Sequence, residues 1–407
     1  MEGRTRGALP AAVRRGLEDN RRTGRTPDGV EYAYTVPDPR KYPDQFLWDS
    51  CLIALAWARL DAGRARDELR TLAAAQEADG FLGHTVFWSG PVRLARLPGY
   101  NVATRGARST RTIQPPLLGW CWAEVADRSG GDEGFRAEGR RAVRALHGWL
   151  RTHRAGPDGL LGILQPDESG LDASPVFDAP LGRRAHPRPG FVRLVHANRR
   201  RGFDLARARA AGAFTAVDPL VNAAWALSWH GLARLGEPGA HEEAVRVTRA
   251  LEHRLWDARD GIFRPEGPDG RPLRGDSWAG LAPLVLPALH PEVADTVIRR
   301  HLLAPDRFWL PHPVPSVSAA DPAFRPADTG FPIRRYWRGP TWPFTWWFAA
   351  QGLRTHGHAR AADDLAARAR RLVAREGLRE YHNPLTGAGL GGRRFSVAAV
   401  ALALGDD

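Results

Sequence analysis

Ala216-Val217-Asp218-Pro219-Leu220-Val221-Asn222-Ala223-Ala224-Trp225-Ala226-Leu227-Ser228-Trp229-His230-Gly231-Leu232-Ala233-Arg234-Leu235, then Gly236-Glu237-Pro238-Gly239, then Ala240 to Trp256, reads as two helices around a short break. In the second run Val247, Leu251 and Leu255 recur at i, i+4, i+8, the stripe of an amphipathic helix. A link of four residues between helices makes an antiparallel hairpin. The pattern repeats outward. Val143, Leu146 and Leu150 fall at i, i+3, i+7, and Leu365, Ala369 and Leu372 at i, i+4, i+7. Helices are predicted near 9–21, 46–61, 64–77, 114–128, 134–153, 216–235, 239–256, 277–286, 291–302, 341–354, 358–375 and 393–404. Further short breaks stand at Asp61-Ala62-Gly63 and Thr355-His356-Gly357.

Twelve helices in hairpins predict an all-α fold, an (α/α)6 barrel of six inner and six outer helices. The whole chain, 1–407, is expected to form one such domain. The long links 78–113, 155–215, 257–276, 303–340 and 376–392 should gather on one face and build the site. Segment 155–215 is long enough to be an insertion of its own.

Composition narrows the function. With 43% hydrophobic and 25% charged residues the chain has ample core material. Its 15 Trp against 6 Tyr suggest a lined pocket, because an indole N–H needs a partner when buried. The net charge of +13 would ordinarily raise nucleic acid or an anionic membrane as partners. Here nearly every basic residue is arginine, with Lys41 the one lysine, as codon bias in a GC-rich genome produces. Neither partner is therefore expected. Basic residues do concentrate between Gly182 and Arg209, which leaves a local anion site open. Cys51 and Cys121 are too few for a disulfide framework or structural zinc. The 14 His form no HExxH array, so no metal or cofactor is expected. Without a signal-like start or a spanning apolar run, the chain reads as soluble and cytoplasmic. Its oligomeric state is not legible.

Two aromatic clusters carry the chemistry. Arg335-Tyr336-Trp337-Arg338-Gly339-Pro340-Thr341-Trp342-Pro343 combines stacking rings with hydrogen-bonding rims, the needs of a sugar ring. Tyr42-Pro43-Asp44-Gln45-Phe46-Leu47-Trp48-Asp49 does the same near the other end. Glycoside hydrolysis needs two carboxyl groups flanking the scissile bond. The loops offer Asp172, with Asp178 close behind it, as well as Glu380 and Asp49. Each also has a plain reading as a turn, cap or ion-pair residue. His84, in Gly83-His84-Thr85-Val86-Phe87-Trp88, could line a pocket or be structural.

In order along the chain these segments resemble glycoside hydrolase family 63, especially its compact bacterial mannosylglycerate and glucosylglycerate hydrolase branch. The matching strings are Gln45-Phe46-Leu47-Trp48-Asp49-Ser50, Gln76-Glu77-Ala78-Asp79-Gly80-Phe81 with Phe87-Trp88, Thr112-Ile113-Gln114-Pro115-Pro116, Tyr336-Trp337-Arg338-Gly339-Pro340, and Glu380-Tyr381-His382-Asn383-Pro384-Leu385-Thr386-Gly387. The resemblance implies inverting hydrolysis of a small α-glycoside, with Asp172 as general acid and Glu380 as general base. It implies that Asp49 and Gln114 hold sugar hydroxyls and that Tyr42, Trp48, Tyr336 and Trp337 form aromatic walls. Gln45, His84, Trp88, Arg338 and Gly339 lie in or beside the same strings. Inversion requires the carboxyl groups to stand roughly 6.5–9.5 Å apart. Leu171 and Ala173 depart from the Trp and Asn that commonly flank the acid, which bears on substrate identity. Mannosylglycerate and glucosylglycerate carry a carboxylate, for which Arg207 and Arg209 are the expected ligands, with Arg105, Arg108 and Arg111 as alternates. A trehalase-like enzyme on neutral di- or oligosaccharides is the alternative. A non-catalytic sugar-binding toroid is the second.

Overall fold

The computed structural model describes residues 2–90, 100–104, 106–182, 187–327 and 336–405. In chain order its helices are α1 (Glu2–Asn20), α2 (Leu47–Ala58), α3 (Ala62–Ala74), α4 (Leu118–Arg128), α5 (Glu133–His153), α6 (Pro187–Arg200), α7 (Leu205–Ala210), α8 (Pro219–Arg234), α9 (Ala240–Leu255), α10 (Pro291–Val297), α11 (Pro343–Thr355) and α12 (Ala359–Glu376). Two further inner elements, Trp278–Val285 and Ser396–Ala403, are 3₁₀ helices. The inner ring runs α2, α4, α8, Trp278–Val285, α11, Ser396–Ala403 and back to α2, each element packed on the next. Outside them lie α3, α5, α9, α10, α12 and α1, each against its own inner partner. The fold is an (α/α)6 barrel. Its sixth pair is made by the first helix and the last inner element, so packing between the two ends of the chain closes the ring.

Burial explains which helices are inner. From Leu47 to Trp57 every residue of α2 is buried, and so is every residue of α8 from Pro219 to Leu232. Outer α12 buries only Ala362, Leu365, Ala366, Ala369, Leu372 and Val373, a single stripe at helical spacing. The breaks between helices also supply the caps. Asp61 accepts the Arg64 N–H at 3.1 Å at the head of α3, and Asp132 accepts the Phe135 N–H at 3.2 Å at the head of α5. Asp218 accepts from Leu220 and Val221, with Pro219 in the first turn of α8.

Two expectations need correction. The helices expected at 277–286 and 393–404 wind as 3₁₀ rather than α. In the first, Pro283 lacks the N–H that an α-helical bond requires; no single residue accounts for the second. Segment 155–215 is not an open loop, since it holds α6, α7 and short 3₁₀ turns at Pro166–Ser169 and Pro175–Phe177.

Every outer-to-inner link, including 21–46 with its antiparallel hairpin Arg21–Arg25/Glu31–Thr35, enters the head of an inner element. The long links therefore gather at one mouth of the ring, and the positive ends of the inner helices face that mouth. Among the described residues no helix is long and apolar enough to cross a membrane.

Inner helices α4 and α8 approach backbone to backbone at Gly119 and Gly231. A Cβ on Gly231 would stand 2.2 Å from the Gly119 carbonyl carbon, deep inside contact distance. Gly231→Ala should therefore destabilise the barrel by about 1–3 kcal/mol, read as a lowered thermal midpoint with unchanged helical circular dichroism below it.

Candidate active site

At the loop-bearing mouth lies a cavity of about 190 Å³, lined by aromatic and acidic side chains. An apolar cavity of roughly 150 Å³ accepts a benzene ring, so this one has room for a single six-membered ring. Tyr42, Trp48, Asp49, His84, Gln114, Asp172, Tyr336 and Trp337 all line it, as their motifs suggested. They come from the head of α2 and from links far apart in sequence, and meet only because the ring closes.

The wall is built before any ligand arrives. Trp48 stacks on Phe344 with centroids 3.9 Å apart and planes at 13°. Trp337 stacks on Trp342 at 4.0 Å and 11°. One face of each expected sugar-stacking indole is thus spent on a neighbouring ring. Gln114 Oε1 accepts the Trp48 backbone N–H at 3.0 Å, which fixes the head of α2.

One carboxylate, Asp172, lines this cavity and a second, Glu380, stands behind it, each bonded to a lining phenol. Tyr336 donates its O–H to Asp172 Oδ2. Tyr42 donates to Glu380 Oε1 at 2.9 Å, and Oε2 of the same carboxylate accepts the Lys41 ammonium at 2.5 Å and the Gly392 N–H at 2.6 Å. Glu380 is fully buried, whereas Asp172 is half-buried. Glycine makes room for the buried carboxylate: a Cβ at Gly391 would fall 2.5 Å from Glu380 Oε2.

Burial sets the proton inventory. It pushes Asp49 up to about 8, helped by the negative Glu380 nearby. It pushes Asp167, another cavity residue, up to about 7, with Glu168 adding to the rise. The phenols of Tyr42 and Tyr336 are driven well above their usual value, by burial first and then by the two carboxylates, so both remain donors. Burial drives His84 down to about 3, leaving a neutral ring at working pH.

Several expected ligands stand elsewhere. Gln45 and Trp88 sit one layer behind the cavity, where the Trp88 indole N–H donates to Gln45 Oε1 at 2.7 Å. Arg338 pairs with Asp178 at 2.6 Å, and the Gly339 N–H donates to Ser316 Oγ at 2.9 Å. Arg207 and Arg209 are exposed and do not line the cavity, because Leu205 and Ala208 turn the buried face of α7 toward Leu164 and Phe203. Arg108 pairs with Asp28 and Arg111 with Glu77. Arg105 and Arg335 lie outside the described residues. Among the described residues no arginine lines the cavity, and no cluster of three or more His, Cys, Asp or Glu could hold a metal.

Sequence reading missed Asp167, Lys41, Phe344 and Phe395. Asp167 gave a signal in standing directly before Glu168-Ser169-Gly170, and Lys41 in being the sole lysine beside Tyr42. Phe344 and Phe395 gave none beyond their aromatic character.

The architecture has close matches. The model of the mannosylglycerate hydrolase MGH1-like glycoside hydrolase domain matches residues 42–397. The chain belongs to that family. A mannosylglycerate hydrolase of Thermus thermophilus is 33% identical, over 91% of this chain and 96% of the relative. A glucosylglycerate hydrolase of Mycolicibacterium hassiacum is 27% identical, over 90% and 93%. A crystal structure of a GH63 mannosylglycerate hydrolase from Thermus thermophilus, in complex with Tris and D-glycerate, superposes with a TM-score of 0.84 at 31% identity. The match covers 97% of this chain and 99% of that one. Neutral trehalase from Saccharomyces cerevisiae shares the fold at 14% identity and a TM-score of 0.61, covering 94% of this chain and 75% of that one. Like the mannosylglycerate and glucosylglycerate hydrolases, the chain is a glycoside hydrolase built around a small-glycoside pocket.

The raised Asp49 gives this family member a testable signature. An unfolded Asp ionises near 4 and the folded one near 8, so the folded state holds the extra proton between them. The contribution of Asp49 to stability is complete below about pH 4 and is lost as pH rises toward 8. In denaturant titrations Asp49→Asn, which cannot ionise, should gain on the wild type steadily from pH 5 to pH 8. A constant difference across that range would show that Asp49 is ionised throughout.

Proposed function

We propose that this enzyme hydrolyses the α-glycosidic bond of a small hydroxy-acid glycoside, mannosylglycerate or glucosylglycerate, with inversion at the anomeric carbon. Asp172 is the general acid and Glu380 the general base. The observation that carries this assignment is the pairing of one carboxylate with Tyr336 and the other with Tyr42, two phenols that line the same cavity. The two carboxylates come from links 155–215 and 376–392, so they approach the cavity from different sectors of the ring, Glu380 from behind Tyr42. The names of the relatives supply the substrate class.

In this reading the sugar ring sits between the Trp48 and Trp337 edges. Asp49, protonated below about pH 8, can donate to a sugar hydroxyl, and Gln114 adds an amide. Asp172 gives its proton to the departing glycosidic oxygen as that bond breaks. Glu380 takes a proton from water as the oxygen attacks the opposite face of the anomeric carbon. Neutral His84 adds no charge, so the developing positive charge on the sugar faces carboxylates and aromatic rings.

A second reading, a neutral disaccharide, is favoured by one observation: no arginine lines the described cavity. One experiment separates the two. An NMR time course with mannosylglycerate, glucosylglycerate and trehalose should show turnover of a glycerate conjugate, the β-anomer of the sugar appearing first. Faster trehalose cleavage would transfer the assignment to the neutral reading, and an α-anomer first would overturn inversion. Asp172→Ala and Glu380→Ala should each lower kcat by about 10²–10⁴; wild-type turnover in either removes that residue from the mechanism.

A further inference from the structure

Of the 58 lysines and arginines in the chain, Lys41 is the one lysine. A composition that has turned basic positions into arginine elsewhere keeps an ammonium here, in contact with Glu380. Arginine offers a planar fork, lysine a compact point charge. The surroundings favour the point. Asp38 Oδ1 accepts the backbone N–H groups of Arg40 and Lys41, both at 2.9 Å, and so folds the turn that aims Lys41. On the far side, a Cβ at Gly392 would meet Asp38 Oδ2 at 2.7 Å, and one at Gly391 would meet Glu380 Oε2 at 2.5 Å. A side chain at either glycine would press on those carboxylates.

The hydrogen bonds divide the carboxylate in two. Oε2 accepts from the Lys41 ammonium and the Gly392 amide, which fills both of its lone pairs. Among the described residues Oε1 accepts only from Tyr42, so one lone pair remains beside a phenol that lines the cavity. We propose that Lys41 is a positioning residue for the hydrolysis, locking Glu380 through Oε2 so that Oε1 receives the proton of the attacking water. The inference rests on Glu380 as general base. In the step, a water O–H bond breaks and its proton goes to Oε1. The water oxygen bonds the anomeric carbon, the glycosidic bond breaks, and the leaving oxygen takes the proton of Asp172. Lys41 keeps its own proton throughout.

The test uses the buried state of the native thiols. Cys51 and Cys121 are both buried, while the Lys41 side chain is 28% exposed, so Lys41→Cys introduces the accessible thiol. That variant should lose about 100-fold in kcat with KM changed by less than about threefold. Alkylation with 2-bromoethylamine, which rebuilds a lysine isostere, should restore most of the turnover. Iodoacetamide, which adds similar bulk without the charge, should not, and Lys41→Arg should stay impaired. Wild-type kcat in Lys41→Cys, or equal recovery with both reagents, overturns the proposal. If Lys41→Cys fails to fold, wild-type kcat in Lys41→Arg overturns it instead. Glu380→Gln separates the two layers. Full activity there removes the base assignment itself, whereas its loss beside an active Lys41→Cys removes the role of Lys41 alone.

Discussion

The mouth of the barrel hangs on one buried ion pair. Arg154, the residue just after α5, meets Glu168 in a two-pronged contact at 2.7 and 2.8 Å, with both side chains essentially excluded from water. Glu168 also accepts the N–H groups of Ile113 at 2.9 Å and Leu164 at 2.6 Å. Four donors therefore fill one carboxylate, which is the condition under which a buried pair offsets its desolvation. The contact joins an outer helix to link 78–113 and to the turn that leads into Asp172. Beyond it Gly170 takes a left-handed conformation at φ 77°, and a Cβ there would strike the Trp48 indole at 2.5 Å. The loop that carries Asp172 is thus seated on the aromatic wall and tied to the ring behind it.

Direction is the second constraint. Because every long link enters the head of an inner element, the positive helix ends face the cavity and favour carboxylates there. Asp49 shows how far that favour extends. It sits in the first turn of α2, where the dipole lowers the energy of a negative charge, yet burial still drives it up to about 8. A terminal dipole contributes about 0.3–1 kcal/mol at exposed sites, less than the cost of drying a carboxylate in an aromatic cavity. Desolvation wins, and the group is a donor at neutral pH.

The ring was legible because helical period survives in a single sequence. Ten of the twelve expected segments wind at least in part as α-helix, and α6 and α7 went unread because arginines interrupt their apolar stripe. The lining of the candidate cavity was legible where chemistry and motif coincide, at Tyr42, Trp48, Asp49, Gln114, Asp172, Tyr336 and Trp337. What stayed hidden depends on closure of the ring. Lys41 and Glu380 are 339 residues apart, and no local pattern joins them. Arg207 and Arg209 have the charge and a place just before Phe214 and Thr215, but on α7 they face solvent.

Other arginines are committed to acids. Arg254 bridges Asp158 and Glu266, Arg234 bridges Glu124 and Asp127, and Arg264 meets Asp257, Asp260 and Asp276. The Arg254 and Arg234 pairs are partly exposed, where water screens them and each contributes little, whereas Arg264 is buried among its three acids. The cavity obeys a different logic. Three acids line it, Asp49, Asp167 and Asp172, with Glu380 behind Tyr42, and crowding the four as anions would oppose folding. Burial holds protons on Asp49 to about pH 8 and on Asp167 to about pH 7, and the Lys41 ammonium balances Glu380. Near neutral pH the pocket therefore carries far less charge than its acid count suggests. A pocket whose Asp49 keeps its proton at neutral pH offers a donor suited to the hydroxyls of a sugar.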